Sequence, residues 1–411
     1  MSNLVVYNIG QLVTVRNKQM LVQGDSMNDV NILSDAYLVI NNGKFTEIGV
    51  GDGYLAYIDI IPSIDAKGKL VTPGLIDSHT HLVHGGSREH EFSMKLNNVS
   101  YLDILNNGGG ILNTVKKTRS ASFQELYNQA KKSLDRMLSF GVTTVEAKSG
   151  YGLELETELK QLEVAKALDE FHPIKIISTF MGAHALPEAY KDNLREYINE
   201  IKNMLNIVRD KNLATFCDVF CEEGVFSILE SREILEYAKN LGFKLKIHAD
   251  EMVHLGGGKL AAELGATSAE HLMNSDENDF KAMAKNRVVC NLLPLTSFYL
   301  DKPFAKARTM IYNNCGIAIA TDYNPGSSPS ENLLLAMQVA AIKMKLTPKE
   351  VITAVTINAA ISLGLEKAKG SIEVNKDGDL VIFDCDNLDY LFYHFGVNLV
   401  DRVIISGVKV I

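Results

Sequence analysis

The chain contains no apolar run approaching the ~18 residues of a membrane-spanning helix, so a transmembrane reading drops out first. Its five cysteines, Cys217, Cys221, Cys290, Cys315 and Cys385, form an odd, scattered set with no CxxC pair. Neither a disulfide framework nor a structural zinc knot fits that pattern, and buried free thiols are expected. Positive charge is scarce as well: 41 Lys and Arg against 50 Asp and Glu give a net charge of -9, with no basic cluster to offset it. Nucleic acid is therefore discounted as a partner, because nothing would neutralise its phosphates. The opening MSNLVVYNIG lacks the basic, apolar and small-residue succession of a secretory leader, which makes a cytoplasmic chain the expectation. Internal repeats and low-complexity tracts are absent too. GGGI (108–111) and GGGK (256–259) do not extend to a GxxxxGKS/T pattern, so they read as turns or helix starts rather than phosphate cradles.

What is present is the composition of a globular protein able to bury a large core: 411 residues, 46% hydrophobic and 22% charged. The segments LVVYNIGQLVTV and AYLVINNGKFTEIGV alternate with period two and carry the turn dipeptide Asn42-Gly43. The same texture returns in GDLVIFDCDN and RVIISGVKVI, after a helical tract that closes near Leu363. These flanks, 1–66 and 364–411, are expected to build one small β-sandwich domain together. Between them, over 67–363, short apolar runs alternate with amphipathic tracts, as in a parallel sheet with crossover helices. The runs are LIDSH (75–79), TTVEAK (143–148), IISTFM (176–181), FCDVF (216–220), LKIHA (245–249), SAEH (268–271), VVCNL (288–292) and IAIATD (317–322). Eight such strands close a TIM (β/α)8 barrel, covered by helices such as ETELKQLEVAKALDEF and SREILEYAKN.

In such a barrel, chemistry is placed at the C-terminal ends of the strands. His79 and His81 end the first run, and residues two apart on a strand project to the same side. His248 closes the fifth run and Asp322 the eighth, so three imidazoles and a carboxylate converge on one mouth. That set suits zinc or iron. Each piece alone has a plainer reading: a surface histidine pair, a structural histidine, or an aspartate capping the next helix. Only the shared location at the ends of different strands lifts the metal reading above them.

Six blocks of the sequence carry a resemblance: LVTPGLIDSHTHLVHGGSRE, VEAKSGYG, TFMGAHALPE, IHADE, SAEHL and ATDYNPGSSP. Together they resemble the imidazolonepropionase family of the amidohydrolase superfamily almost end to end; PGLIDSHTH alone would indicate the superfamily only. The resemblance implies a distorted barrel with a β-sandwich from both termini, one Zn2+ or Fe ion per subunit, and a homodimer. It implies His79, His81, His248 and Asp322 as the metal ligands, the set the strand ends had already selected. No lysine falls in IISTFMGAH or FCDVFCEEG at the strand-end position that dinuclear relatives use as a carboxylated bridge, so the resemblance implies a mononuclear site.

The implied activity is hydrolysis of the cyclic amide of 4-imidazolone-5-propionate to N-formimino-L-glutamate, in histidine degradation. A divalent ion would bring the ionisation of water from about 16 to about 7. Asp322 can ligate and also take a proton; Glu251, three residues past His248, can shuttle one to the leaving nitrogen; His271, ending the sixth run, can stabilise the oxyanion. Glu251 also reads as a helix-start acid and His271 as a structural histidine. For the substrate's carboxylate tail, Arg88 offers a guanidinium fork. The family pattern adds Tyr151, His184, Asn324, Gly326, Ser327 and, less directly, Tyr101, each of which also reads as a loop hydrogen-bonding residue. Two rivals remain: a deaminase of nucleobase-like rings, which would release ammonia, and a scaffold that keeps the fold without activity.

Overall fold

The structure is a computed structural model that describes residues 2–15, 20–97 and 109–411; Tyr101 lies outside the described residues. The N-terminal strands are β1 (Leu4–Val13), β2 (Ile32–Asn41), β3 (Lys44–Val50), β4 (Ser63–Asp65) and β5 (Leu70–Pro73). The eight apolar runs become β6 (Leu75–Asp77), β7 (Val142–Lys148), β8 (Lys175–Ala183), β9 (Phe216–Cys221), β10 (Lys244–Ala249), β11 (Ser268–His271), β12 (Val289–Leu292) and β13 (Gly316–Ile319). At the C-terminal end follow β14 (Leu380–Phe383), β15 (Val400–Ile405) and β16 (Val408–Lys409).

The two ends of the chain share one sheet in the order β16-β15-β14-β5-β1-β2-β3, with β4 against β1. They meet where β5 runs antiparallel to β14, Val71 opposite Ile382. Alternation sorts its side chains: Val6, Leu38 and Ile40 turn to a core shared with Val71, Leu380 and Ile404, whereas Val5 and Val39 turn to the other face beneath Tyr37. One boundary needs correction. A division at residue 66 places β5 in the barrel, yet it is bonded on both sides within the terminal sheet. The cause is local: GKLVTPGLIDSH carries two strands of different sheets with only Gly74 between them, and no turn signal marks the change.

β6 to β13 are hydrogen-bonded in sequence order and every pair is parallel. The seam between first and last strand is bridged at Thr80 and Tyr323. Beside it, the Thr321 amide and hydroxyl donate to the Asp77 carboxylate at 3.0 and 2.6 Å. Helices pack outside, among them Leu155–Phe171 and Ile228–Asn240 from the two tracts named above. Several begin with reciprocal capping boxes, such as Ser122 with Glu125 and Ser227 with Glu230. GGGK opens the helix Gly257–Leu264, and Gly110 of GGGI precedes the helix Ile111–Ser120. All five cysteines are buried free thiols. Among the described residues no helix is long and apolar enough to cross a membrane.

Candidate metal and active site

The barrel's C-terminal rim brings together His79, His81, His248, His271 and Asp322. His79 and His81 leave β6 in extended register and are locked to the last strand: the Asp322 amide donates to His79 O at 3.1 Å and the His81 amide to Tyr323 O at 2.9 Å. His248 lies on β10 and His271 ends β11. Ring centroids of His79 and His248 are 4.6 Å apart, and those of His248 and His271 5.1 Å. His79, His81 and His248 each offer a nitrogen within 4.8 Å of the others, and His79, His271 and Asp322 bring two nitrogens and a carboxylate oxygen equally close. Burial pushes the imidazoles of His79, His81 and His271 well below their ordinary pKa, which leaves them neutral and able to donate a lone pair.

Buried polar atoms are nearly always paired, and here they are not. His79 Nε2, His81 Nδ1, both nitrogens of His248 and His271 Nδ1 are buried with no hydrogen-bond partner. His248 Nδ1 does lie 3.0 Å from Asp218 Oδ2, an ion-pair contact that does not have hydrogen-bond geometry. Asp322 Oδ1 faces the cluster at 3.3 Å from His79 Nε2 and 3.8 Å from His81 Nε2, while its Oδ2 accepts from the Thr296 hydroxyl at 2.6 Å. Buried imidazoles with unpartnered ring nitrogens, clustered beside a carboxylate, are a donor set suited to a zinc or iron ion, so the residues fit the metal.

Two plainer readings fail. The helix after Glu251 starts only at Gly257, and the one after Asp322 is capped by Asn332, so neither acid serves a helix end. Glu251 lies in a bend whose next amides, Met252 and Val253, donate to Glu222 at 2.8 and 3.2 Å. Its carboxylate reaches within 3.6 Å of His271 Nε2. Burial, then the charges of Asp322 and Glu222, push the Glu251 carboxyl up to about 8. Burial raises Asp322 to about 6, against the Thr296 hydrogen bond. Asp250, His271, Leu272 and Asp322 all take left-handed backbone.

The remaining expected residues line the same rim, with different freedom. The His184 ring stacks on His81 at 4.9 Å, and its Nδ1 faces Gly150 O at 3.0 Å. Burial brings its pKa down to about 3. Gly150 has φ +105° with the His184 ring 2.9 Å from where a Cβ would sit, so only glycine fits there. Tyr151 is buried with its ring 5.3 Å from that of His184. Arg88 holds Glu91 through Nε and Nη2 at 2.9 and 2.7 Å. Its Nη1 lies 2.2 Å from a Cβ built on Gly326, which explains the glycine. The Asn324 carboxamide is engaged by its own loop: Nδ2 donates to Asp322 O, and Oδ1 accepts from the amides of Gly326 and Ser327.

A model of the amidohydrolase family matches residues 70–410. An imidazolonepropionase of Fusobacterium nucleatum is 55% identical over 408 residues, 99% of this chain and 98% of the relative. One of Alkaliphilus oremlandii is 54% identical over 98% of this chain and 96% of the relative. The chain belongs to the amidohydrolase family, among the imidazolonepropionases. Membership makes it a hydrolase acting on C–N bonds of cyclic amides. A solved adenosine deaminase of Xanthomonas campestris, with zinc bound, shares the fold at TM-score 0.74 and 19% identity, covering 99% of this chain and 92% of that one.

This amidohydrolase also buries charges that the sequence reading passed over. Glu146, Lys148, Asp218, Lys246 and Glu270 are all fully enclosed inside the barrel. His84, whose Nδ1 faces His81 O at 3.0 Å, lines the same mouth with its ring 6.2 Å from that of Tyr151. The available signal was period two: Glu146 and Lys148, Lys246 and His248, and Ser268 and Glu270 are each two apart on strands of the barrel. A further grouping, Asp250, His254 and Asp279, is a loop clamp instead. Asp250 accepts from the amides of Leu255, Gly256 and Gly257, and Asp279 accepts from His254 and the Lys259 amide.

Proposed function

We propose that this mouth opens 4-imidazolone-5-propionate by adding water across the ring carbonyl C–N bond, giving N-formimino-L-glutamate, with His79, His81, His248 and Asp322 holding one Zn2+ or Fe ion. The observation that carries the reading is the cluster of buried ring nitrogens without a hydrogen-bond partner, with His79 Nε2 lying 3.3 Å from Asp322 Oδ1. When bound, the ion supplies Lewis acidity and brings the ionisation of water near neutral pH. Every other role falls to side chains.

Asp322 and Glu251 divide the proton work. With its carboxyl lower, Asp322 is the base at neutral pH, and it takes the proton that water loses on attack. Glu251, held higher, carries a proton at the same pH and delivers it to the departing ring nitrogen, which stops reclosure. His271 stands beside Glu251 with Nε2 toward it and stabilises the oxygen on which charge develops. On the substrate's other end, Arg88 binds the propionate carboxylate, with Tyr151 and His184 flanking the flat ring. Asn324 acts through its loop, holding the Gly326 and Ser327 amides in place.

Metal-loaded protein incubated with fresh 4-imidazolone-5-propionate tests the reading, following ring loss, N-formimino-L-glutamate and ammonia in one sample. Stoichiometric formiminoglutamate without ammonia is expected. Ammonia in step with ring loss would convert the assignment to a deaminase, and intact ring would remove the substrate.

A further inference from the structure

The five charges buried inside the barrel form an unbroken path of alternating sign between two of the histidines. His79 Nδ1 is 2.7 Å from Glu270 Oε2. The other oxygen of Glu270 is 3.5 Å from Lys246 Nζ, which is 3.5 Å from Glu146 Oε1. Glu146 is 3.0 Å from Lys148 Nζ, which donates to Asp218 Oδ2 at 2.7 Å. Asp218 Oδ2 is 3.0 Å from His248 Nδ1, and its Oδ1 accepts from the His248 amide at 3.1 Å. Neither Glu270 nor Asp218 has freedom to turn: Asn291 Nδ2 donates to Glu270 at 2.7 Å, and Ser268 donates to its other oxygen.

We propose that this Glu270-Lys246-Glu146-Lys148-Asp218 path is a positioning device: Glu270 fixes the Nδ1–H tautomer of His79 so that its bare Nε2 faces the metal, and Asp218 holds His248 in place through its backbone amide and the charge contact at Nδ1. The inference rests on the ligand assignment above. The carboxylate at His79 Nδ1 orients the ring and raises its basicity as a ligand. A lone carboxylate in a dry barrel would be poorly tolerated, which is the role of the two lysines. Three carboxylates against two ammonium groups also leave the path one negative charge beneath a site for a cation.

A path that only stabilises the barrel and one that positions ligands differ under paired neutralisation. Removing one member of a buried ion pair leaves its partner less well compensated, here Lys246 with Glu146 as its remaining carboxylate, whereas removing both returns the path to the parent's excess of one negative charge. The test compares the parent with Glu270→Gln and with the double variant Lys246→Met/Glu270→Gln, reading the melting temperature of metal-free protein and Co2+ affinity by chelator competition. Glu270→Gln is expected to lower both, with affinity falling roughly 10–100-fold. In the double variant the melting temperature should return toward the parent while affinity stays low. Should the single variant fail to fold, the double variant decides alone. Affinity that recovers with the melting temperature, or stays within about twofold of the parent throughout, overturns the inference and leaves the ligand assignment standing. A parent that binds no Co2+ overturns both.

Discussion

In the terminal sheet, Val6, Ile9, Leu12, Leu38, Phe45, Val71, Ile382 and Ile404 are completely enclosed. Among the described residues, none of the buried polar atoms without a partner lies on its strands. At the barrel mouth, five ring nitrogens of four buried histidines are in that condition. An unsatisfied buried polar atom costs about 1–3 kcal/mol. One region is therefore built for stability and the other tolerates instability in order to bind. A chain can sustain the second only because the first, and the apolar helix-to-strand contacts around the barrel, make up the difference.

That contrast can be broken from either side. The largest effect belongs to the ligands: His248→Ala should abolish metal retention and lower kcat/KM by about a thousandfold or more, seen by metal analysis beside steady-state kinetics. Glu251→Gln should keep the metal while lowering kcat by about 10²–10⁴-fold. The sign of its pH dependence follows from its raised carboxyl: a proton donor is lost as pH rises through its pKa. The alkaline limb of kcat should therefore lie at or below about pH 8, since a bound cation lowers the value, and it should vanish in the glutamine variant. Arg88→Gln should raise KM by about 10–100-fold with far less change in kcat, as expected for a charged contact to the substrate's tail. At the far end of the scale, Ile382→Ala in the terminal sheet should leave kcat/KM of folded protein unchanged. It should still destabilise by about 2–5 kcal/mol in denaturant unfolding. Reduced metal affinity in that variant would dissolve the distinction between the two regions.

The sequence makes the barrel legible because parallel strands buried on both faces must be short apolar runs, and all eight fall on β6 to β13. His79, His81, His248 and Asp322 are legible for a related reason: a polar residue ending an apolar run has few destinations other than the strand's mouth. Glu146, Lys148, Asp218, Lys246 and Glu270 escape because single-residue reasoning places charge on the surface, and only pairing across strands makes them tolerable inside. β5 escapes because Leu70–Pro73 and Leu75–Asp77 look like one strand until their partners are known. Asn324 shows the converse. Its position reads as a ligand contact, yet both ends of its carboxamide bind its own loop.

The most direct test of the account is turnover of 4-imidazolone-5-propionate measured against metal content, titrating metal-free protein with Zn2+. Ring opening should rise linearly and level off at one ion per chain. A plateau at two ions, or full turnover with none, would contradict a single ion held by His79, His81, His248 and Asp322.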